Sequence, residues 1–428
     1  MNKDKMIFGE NAVFSMDSSK TGVNNNVLVV GSTGCGKTMS ISEPQLLETE
    51  SSSLIVTLTK RTLADKYTEL FRKRGYAAET LDFTAPLKGT VAFDPMKYIR
   101  TDKDASALAE AIVLANPRKS ASSADPYWDD SSRMLLCAEM GIARYKAALA
   151  GRKPTFSEVL KIHSELDISW GFRDEFTRQT SFDTVIDDMS CDKKYSSAVR
   201  GWRSVKDLPR KTLSCIIGTL SAALETMFTD ELRQSMDSLK SLDFRRIGKE
   251  KTVLFVITSP VNKVLNRFVS LFYSAAFKEL FELAEGLPSG RLPVPVHIIC
   301  DDFATGAAVP NFAQYISIFR AKGISVTLLI QSESQLIGLY GLSDAKTIIN
   351  NCDTYIYMGG MDIETCSSIS ARMNIPFEDV MYMPLGQVCV MRRGRRPLLT
   401  KRYNITADPR YIKLEASRIL ALSKDKAL

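Results

Sequence analysis

The chain has 428 residues, of which 45% are apolar and 25% charged, and its formal net charge is +7. These proportions are typical of an ordinary soluble globular protein, and the length predicts two domains. No window approaches the roughly 18 uninterrupted apolar residues of a membrane span, and the N-terminus lacks the apolar core of a signal peptide, so we expect a cytoplasmic protein.

The eight cysteines form no C-x-x-C pair and only two histidines are present, which argues against a histidine-based zinc site. The mild basic excess permits contacts with nucleic-acid phosphates without requiring them.

Residues 1–26 predict a short strand-and-turn lead-in, and the next four, Val-Leu-Val-Val, predict a buried parallel strand. Residues 31–38, Gly-Ser-Thr-Gly-Cys-Gly-Lys-Thr, then fit the phosphate-loop pattern G-x-x-x-x-G-K-[ST] without a mismatch. Its glycines allow successive backbone N–H groups to point at phosphate oxygens, and the following helix adds the positive end of its dipole. Lys37 supplies a charge for the β- and γ-phosphates, and the Thr38 hydroxyl is placed to ligate Mg²⁺. The predicted nucleotide-binding residues are Gly31, Ser32, Thr33, Gly34, Cys35, Gly36, Lys37 and Thr38.

The segment after the phosphate loop continues the alternation of helices and strands. A helix is predicted to about Glu48, with a kink at Pro44. A second buried strand at 54–57, an amphipathic helix at 63–74 and a short strand near 80–81 follow. Residues 1–103 are therefore expected to form the first part of a nucleotide-binding α/β domain.

Strand patterns are absent between residues 104 and 243, where apolar residues recur at helical spacing. Helices are predicted over 135–149 and 213–227, and the capping box at 155–158 opens another. We therefore expect residues 104–243 to form an inserted all-α domain. Its tryptophans are expected to pack in the core rather than stack on nucleobases, and His163 to have a structural or surface role. The tryptophans are Trp128, Trp170 and Trp202.

Strand patterns return in residues 244–428, the expected second part of the nucleotide-binding domain. A long helix is predicted at 264–285. The predicted strands lie at 252–258, 296–302, 324–330, 354–358 and 388–391. Because helices alternate with these strands, the pattern predicts an α/β fold with a mostly parallel sheet, interrupted by the helical insertion.

The apolar strand at 296–302 ends in Asp301-Asp302, which is the second candidate catalytic signal. A carboxylate at the end of a strand in a phosphate-loop sheet reaches the Mg²⁺ held by Thr38. Asp301 is expected to hold the metal through water, and Asp302 to orient or deprotonate the attacking water.

Two further candidates flank the strand at 324–330. Gln331 follows the strand and is placed to touch the γ-phosphate or the attacking water. Arg320 precedes the strand, so it is a poor partner for its own nucleotide but could reach that of a neighbouring subunit. The alternative for Arg320 is a cation that interacts with the dipole at a helix C-terminus.

Together these motifs resemble those of the type IV secretion coupling proteins, the conjugative DNA-transfer ATPases. The order and spacing match over most of the chain, including the helical domain that begins near 125–128. The matching segments are the phosphate loop, Cys300-Asp301-Asp302-Phe303-Ala304 followed by Pro310, Arg320-Ala321-Lys322-Gly323-Ile324, Gln331-Ser332-Glu333-Ser334-Gln335-Leu336 and Asn350-Asn351-Cys352-Asp353.

The resemblance implies a RecA-like P-loop NTPase domain with an all-α insertion, which uses ATP and Mg²⁺. It implies a homo-oligomer, expected to be a hexamer, that transfers single-stranded DNA with its relaxase through the membrane components of a type IV secretion system. By the same resemblance, Lys37, Asp301 and Asp302 are catalytic, Arg320 matches the arginine finger acting in trans, and Gln331 matches the nucleotide-sensing glutamine.

The chain departs from the family's pattern in three places. Relatives usually carry Asp-Pro-Lys-Gly-Glu after the second strand, where this chain has Leu58-Thr59-Lys60-Arg61-Thr62. The usual acidic pair is Asp-Glu, and the shorter side chain of Asp302 could slow hydrolysis. The usual N-terminal membrane anchor is absent, so we expect either a truncated chain or a soluble member that partners recruit to the inner face of the cell membrane.

The run Arg392-Arg393-Gly394-Arg395-Arg396 predicts a hairpin with a basic tip, which is either a solvated turn or a DNA-facing loop. Two alternatives to a coupling ATPase remain at the level of function. One is a related hexameric secretion or DNA-pumping ATPase. The other is a nucleotide-gated docking protein with little hydrolysis, which the departures at Leu58 and Asp302 would favour.

Overall fold

The computed structural model describes residues 3–113, 126–171, 181–259, 261–303 and 306–425 of the protein. Asp125 and Ala304 of the motif segments, and the side chain of Trp170, lie outside the described residues. Contacts divide the chain into two compact units, an α/β unit of Met1–Thr84 with Asp243–Leu428 and a helical unit of Ala85–Leu242.

Strands and helices alternate along much of the α/β unit, and helices follow one another in the helical unit. The strands are β1 (Lys5–Gly9), β2 (Ala12–Ser15), β3 (Val27–Val30), β4 (Ser53–Leu58), β5 (Ala77–Asp82), β6 (Val91–Ala92), β7 (Lys240–Ser241), β8 (Thr252–Ile257), β9 (Val296–Cys300), β10 (Ile324–Ile330), β11 (Thr354–Tyr357), β12 (Gln387–Arg392) and β13 (Leu398–Lys401). The helices are α1 (Ser18–Thr21), α2 (Glu43–Glu48), α3 (Arg61–Lys73), α4 (Asp102–Val113), α5 (Pro126–Leu149), α6 (Phe156–Gly171), α7 (Ser181–Ser190), α8 (Ser196–Lys206), α9 (Arg210–Met227), α10 (Asp230–Ser238), α11 (Phe244–Ile247), α12 (Lys263–Glu285), α13 (Phe312–Lys322), α14 (Glu333–Asn350), α15 (Ile363–Met373), α16 (Phe377–Met381) and α17 (Pro409–Asp425).

The α/β unit is built on a nine-stranded sheet in the order β13-β12-β11-β3-β10-β9-β4-β8-β5. The seven strands from β11 to β5 are parallel, and β12 and β13 extend the sheet as an antiparallel hairpin. The residues of β3, β4, β8, β9 and β10 are all buried, as expected for parallel strands covered by helices on both faces. Because β3, β9 and β10 are parallel and close together, their C-terminal ends meet at one edge, where the candidate site lies.

The helix after the phosphate loop is interrupted where the sequence predicts a kink. Thr38–Ser42 forms a π-helical turn, and α2 begins at Glu43 with Pro44 in its first turn. Proline has no N–H to donate and its ring restricts the preceding turn, which accounts for the change of helix type at this point.

The helical unit is organised around α5, which packs against α4, α8 and α9. Two glycines permit a close approach of α5 and α8. A Cβ atom at Gly141 would overlap the Ala198 Cβ atom, and a Cβ atom at Gly201 would overlap the carbonyl oxygen of Met134.

The helical unit begins at Ala85, whereas the sequence pattern predicts its boundary at residue 104. The difference arises because β6 pairs in parallel with β7, and the Tyr98 hydroxyl donates a hydrogen bond of 2.7 Å to the Leu242 carbonyl. These contacts join the two ends of the insertion, so residues 85–103 pack with the helices. They also place a short strand, β7, in a region where the sequence predicts none.

Inside the helical unit, Trp202 is 1% exposed and its indole N–H donates a hydrogen bond of 2.8 Å to Asp183. This confirms the predicted core role for that tryptophan. His163 is also buried, between the carboxylate of Glu139 at 2.7 Å and the hydroxyl of Ser221 at 2.8 Å, which is a structural position. The predicted capping box is present, since the Thr155 N–H donates to Glu158 at 3.0 Å and the Glu158 N–H donates to the Thr155 hydroxyl at 3.4 Å.

Across the described ranges, no single helix has the length and apolar character of a membrane span, although α9 and α10 taken together as a bent pair do.

Candidate nucleotide-binding site

The phosphate loop is anchored to the strands beside it through its first two residues. The Gly31 N–H donates to the Ile330 carbonyl at 3.2 Å, and the Ser32 N–H donates to the Gly359 carbonyl at 2.9 Å. Gly34 and Gly36 have φ angles of 79° and 85°, in the left-handed region that favours glycine. In the part of the chain that the structure describes, the N–H groups of these two glycines have no hydrogen-bond acceptor. They are therefore available to donate to an anion.

Lys37 is buried, with 8% of its surface exposed, and its side chain folds over the loop. Its ammonium group donates to the Gly31 carbonyl at 2.6 Å and to the Ser32 carbonyl at 3.1 Å. These two hydrogen bonds hold the ammonium charge against the backbone of the loop.

Thr38 and Asp301 are 263 residues apart in sequence and adjacent in the fold. The Thr38 hydroxyl donates a hydrogen bond of 2.9 Å to Asp301 Oδ2. Burial raises the pKa of Asp301, and the neighbouring charge of Asp302 raises it further. The hydrogen bond from the Thr38 hydroxyl and the charge of Lys37 lower this pKa, but by less. The site thus holds a carboxylate whose charge is only partly compensated.

Asp302 has a φ angle of 51°, in the left-handed region. Aspartate is among the few residues other than glycine that enter this region readily, because its short polar side chain is tolerated there. A pocket borders both carboxylates on the side of α12 and is also lined by Thr57, Asn266 and Tyr273. This arrangement leaves space beside Asp302 for a small ligand such as a water molecule.

Gln331 lies beside the phosphate loop, and Arg320 does not. Gln331 directly follows β10, whose last residue, Ile330, bonds to Gly31. Arg320 is exposed in the last turn of α13, just before β10 begins, and therefore lies at the opposite edge of the sheet from Lys37. No carboxylate within the described ranges forms an ion pair with its guanidinium.

The segment that departs from the family's pattern follows β4. There, Arg61 forms an ion pair of 2.8 Å with Asp82 at the end of β5. This contact holds the start of α3 against the end of β5. Lys60, the residue before α3, is exposed.

The four clustered arginines of the β12–β13 turn lie at the sheet edge opposite the phosphate loop, because Arg392 pairs with Thr354 at the start of β11. Arg392 is buried with its guanidinium carbon 4.5 Å from the centre of the Phe14 ring, and Arg393 pairs with Asp353 at 3.1 Å. Arg395 and Arg396 are exposed. The guanidinium carbon of Arg395 nevertheless lies 5.4 Å from the centre of the same Phe14 ring, so three of the four arginines are engaged within the fold.

One arginine at the phosphate loop carries no sequence motif. Arg402 follows β13, and its guanidinium donates a hydrogen bond to the Cys35 carbonyl. No spacing rule connects residues 35 and 402, so only the topology of the sheet reveals this contact.

Several solved structures share this architecture. The bacterial conjugative coupling protein TrwBdeltaN70, in its unbound monoclinic form, matches with a TM-score of 0.62 at 16% identity, over 94% of this chain and 89% of that protein. TrwB in complex with ADP and Mg²⁺ matches with a TM-score of 0.60 at 16% identity, over 94% and 90% of the two chains. VirB4 of Thermoanaerobacter pseudethanolicus matches with a TM-score of 0.57 at 10% identity, over 96% and 98%. These similarities confirm the predicted fold, a RecA-like P-loop NTPase domain with a mostly parallel sheet and a helical insertion.

At the level of sequence, comparison with curated proteins gives no match. A family profile described as type IV secretory system conjugative DNA transfer matches residues 1–374. Because the profile spans most of the chain, and because the fold agrees with it, this protein belongs to the type IV secretory system conjugative DNA transfer family, as its resemblance to the coupling proteins predicted.

Proposed function

We propose that this chain is an ATP-hydrolysing coupling protein and DNA translocase, which recruits single-stranded DNA with its relaxase and drives both into a type IV secretion apparatus. Family membership supports the role in conjugative transfer. The observation that carries the ATPase assignment is the hydrogen bond of 2.9 Å between Thr38 and Asp301. It brings a phosphate-loop hydroxyl and a carboxylate on β9 together where a nucleotide-bound metal would lie.

The residues at this point fit Mg²⁺. A hydroxyl and a carboxylate are oxygen donors, which Mg²⁺ prefers, and Asp301 is half-buried with an incompletely compensated charge. TrwB has been solved with ADP and Mg²⁺, and also with non-hydrolysable ATP and GTP analogues. When bound, the metal would supply positive charge to the β- and γ-phosphates of ATP. Thr38 would ligate it directly and Asp301 through water.

The remaining residues act on the phosphates and on water. The N–H groups of the loop and the ammonium of Lys37 bind phosphate oxygens. Asp302 orients the attacking water or accepts its proton. Gln331 reports on the γ-phosphate, a role supported by its position directly after Ile330, which bonds to Gly31. Arg320 lies too far from its own loop, so we assign it to the nucleotide of the adjacent subunit in a homo-oligomer, expected to be a hexamer. Partners recruit this assembly to the inner face of the cell membrane.

A second candidate function is a nucleotide-gated docking protein with little hydrolysis. Asp302 favours it, because a carboxylate shorter than the usual glutamate reaches less far toward the water. The backbone at this position has a left-handed φ of 51°, which aspartate adopts more readily than glutamate, so the local fold accommodates the shorter carboxylate.

Phosphate release from Mg²⁺ and ATP, with and without single-stranded DNA, tests the proposal. The parent should hydrolyse ATP, faster with DNA, and activity should be lost on chelation of Mg²⁺. Lys37→Ala should abolish turnover with the fold intact, whereas Lys346→Ala, at an exposed lysine of α14, should match the parent. Equal turnover in the parent and Lys37→Ala would refute the site assignment.

Asp302 distinguishes the two candidate functions. Loss of a general base typically lowers turnover about 10²- to 10⁴-fold, so Asp302→Asn should bind ATP as the parent does but hydrolyse it slowly. Turnover unchanged in Asp302→Asn, or too slow to measure in the parent, would favour the docking protein. Faster hydrolysis by Asp302→Glu would show that reach limits the parent.

A further inference from the structure

Arg402 contacts the phosphate loop from a part of the chain that the family profile does not cover. The profile ends at residue 374, and Arg402 follows the last strand of the sheet. Its guanidinium Nη1 donates to the Cys35 carbonyl, and its backbone N–H donates to the Gly386 carbonyl at 2.8 Å. The arginine is thus held both by its backbone and by its side chain.

Sheet topology explains how so late a residue reaches the loop. β12 runs antiparallel to β11, and β13 runs antiparallel to β12, so β13 has the same direction as β3. The residues that follow β3 and those that follow β13 therefore emerge at the same edge of the sheet. The phosphate loop follows β3, and Arg402 follows β13.

The guanidinium lies directly against the backbone of the loop. A Cβ atom at Gly36 would lie 2.8 Å from Arg402 Nη1, closer than Cβ atoms approach other heavy atoms. The same glycine has the left-handed φ of 85° that the loop requires. Gly36 therefore serves two purposes, one for the shape of the loop and one for the approach of the arginine.

The charge of Arg402 is not neutralised within the fold. Across the described residues, no carboxylate forms an ion pair with it, and its side-chain acceptor is the neutral carbonyl of Cys35. Two other arginines near the C-terminal end differ in this respect. Arg410 pairs with Asp408 at 2.7 Å and with Glu48 at 2.5 Å, and Arg393 pairs with Asp353. A half-buried guanidinium at an anion-binding loop, with a carbonyl as its acceptor, is positioned to exchange that acceptor for phosphate oxygen.

We propose that Arg402 is a nucleotide-binding residue, whose guanidinium contacts the phosphate chain of the nucleoside triphosphate held by the loop at 31–38. This proposal rests on the proposed function, because it requires a nucleotide in that loop. Arginine suits the role because its planar group donates two parallel hydrogen bonds to phosphate. Lysine would keep the charge but lose that geometry.

Calorimetric titration of the full chain with ATP and Mg²⁺, ADP and adenosine tests the assignment. Arg402→Gln removes a hydrogen bond between charged groups, so we expect the affinity for ATP to be about 10- to 100-fold weaker in this variant than in the parent. Arg402→Lys should recover part of the loss, and adenosine affinity should be equal in all variants. Arg396→Gln, which removes an exposed arginine at the other end of the same hairpin, should bind ATP as the parent does.

The possible outcomes separate this proposal from the one on which it rests. If the parent does not bind ATP, or Lys37→Ala binds it as tightly as the parent, the nucleotide site itself is wrong. If Lys37→Ala loses affinity and Arg402→Gln does not, Arg402 is not a nucleotide ligand. Equal weakening of adenosine and ATP binding, with a lower unfolding temperature in the absence of ligand, would show that Arg402 only supports the fold. If Arg402→Gln does not fold, the same comparison with Arg402→Lys decides, and equal ATP affinity in Arg402→Lys and the parent would overturn the proposal.

Discussion

At the scale of single residues, the central sheet contains a buried histidine that the chemistry of the site does not use. His297 on β9 is 0% exposed, and its two ring nitrogens lie 2.7 Å from the Ser325 hydroxyl and 2.9 Å from the Thr327 hydroxyl, both on β10. Burial lowers the pKa of His297 to about 4. The neutral imidazole therefore bridges two strands that position the candidate site.

This pKa predicts loss of stability in mild acid. The unfolded chain takes up a proton near pH 6.5 and the folded chain only near pH 4, so stability is complete above pH 6.5 and falls as the pH decreases through this interval. Between pH 7.5 and pH 5 the cost is about 2 kcal/mol. Urea unfolding should show the parent losing about that much more stability than His297→Gln over this range. Equal losses in the two proteins would mean that His297 protonates in the folded state as easily as in the unfolded one.

Single residues also show where prediction from sequence ends. Lys37, Thr38 and Asp301 lie in continuous motifs next to apolar strands, so their approach to one another could be expected from the sequence alone. The left-handed φ of Asp302 and the contact of Arg402 with Cys35 could not. The first depends on how the chain leaves β9, and the second on the direction of a hairpin about 370 residues away.

At the scale of secondary-structure elements, the close approach of α5 and α8 depends on glycine. A Cβ atom at Gly201 would overlap the carbonyl oxygen of Met134, which belongs to a helix backbone and has little room to move. Gly218, an exposed residue of α9, has no neighbour within 4 Å of such an atom and provides a matched control.

The two glycines should respond to alanine in opposite directions. Gly201→Ala should destabilise the protein by about 1–3 kcal/mol through overpacking. Gly218→Ala should stabilise it by up to about 1 kcal/mol, because alanine has the higher helix propensity. Thermal unfolding of both variants measures the difference. Stabilisation of both would show that α8 can shift away from α5 at little cost.

The β12–β13 turn gives a second prediction at this scale. Arg395 and Arg396 are exposed, whereas the charge of Arg393 is paired with Asp353. If the turn contacts single-stranded DNA, Arg395→Gln with Arg396→Gln should reduce the slope of log affinity against log salt by about 1.4. Arg393→Gln should leave the slope nearly unchanged and lower stability, since it leaves Asp353 without this partner. A slope unaffected by the double substitution would identify the turn as solvated.

The presence of a strand was easier to predict from the sequence than the strand with which it pairs in the sheet. Continuous apolar runs marked β3, β8 and β10 because both faces of a parallel strand are buried. The two-residue strands β6 and β7 have no such run, and their pairing joins residues about 150 apart. For this reason the start of the helical unit could not be located from local pattern.

At the scale of the whole molecule, Arg320 predicts that activity depends on assembly. It is exposed at the sheet edge opposite its own phosphate loop, so it can serve a nucleotide only across a subunit interface. Arginines acting in trans contribute roughly 10³- to 10⁵-fold to turnover. Arg320→Ala should therefore bind ATP normally and hydrolyse it slowly, and the specific activity of the parent should rise with protein concentration.

Mixing variants gives a direct test of the trans role. Rings that contain both Arg320→Ala and Lys37→Ala subunits include interfaces where an intact Lys37 faces an intact Arg320, so some activity should return. The matched control is a mixture of Lys37→Ala with the double variant, which has no intact pair. Absence of rescue in rings shown to be mixed would return Arg320 to the role of a charge at a helix end.

The hairpin β12–β13 connects two chemically different ends of the α/β unit. One end holds Arg402 at the phosphate loop, and the other carries the exposed Arg395 and Arg396. A strand of six residues is about 20 Å long, whereas salt screens exposed charges beyond about 8 Å at physiological ionic strength. Charge bound at one end is therefore hardly felt electrostatically at the other. Any communication between a bound nucleotide and the basic turn through this hairpin therefore requires a displacement of the paired strands β12 and β13 themselves.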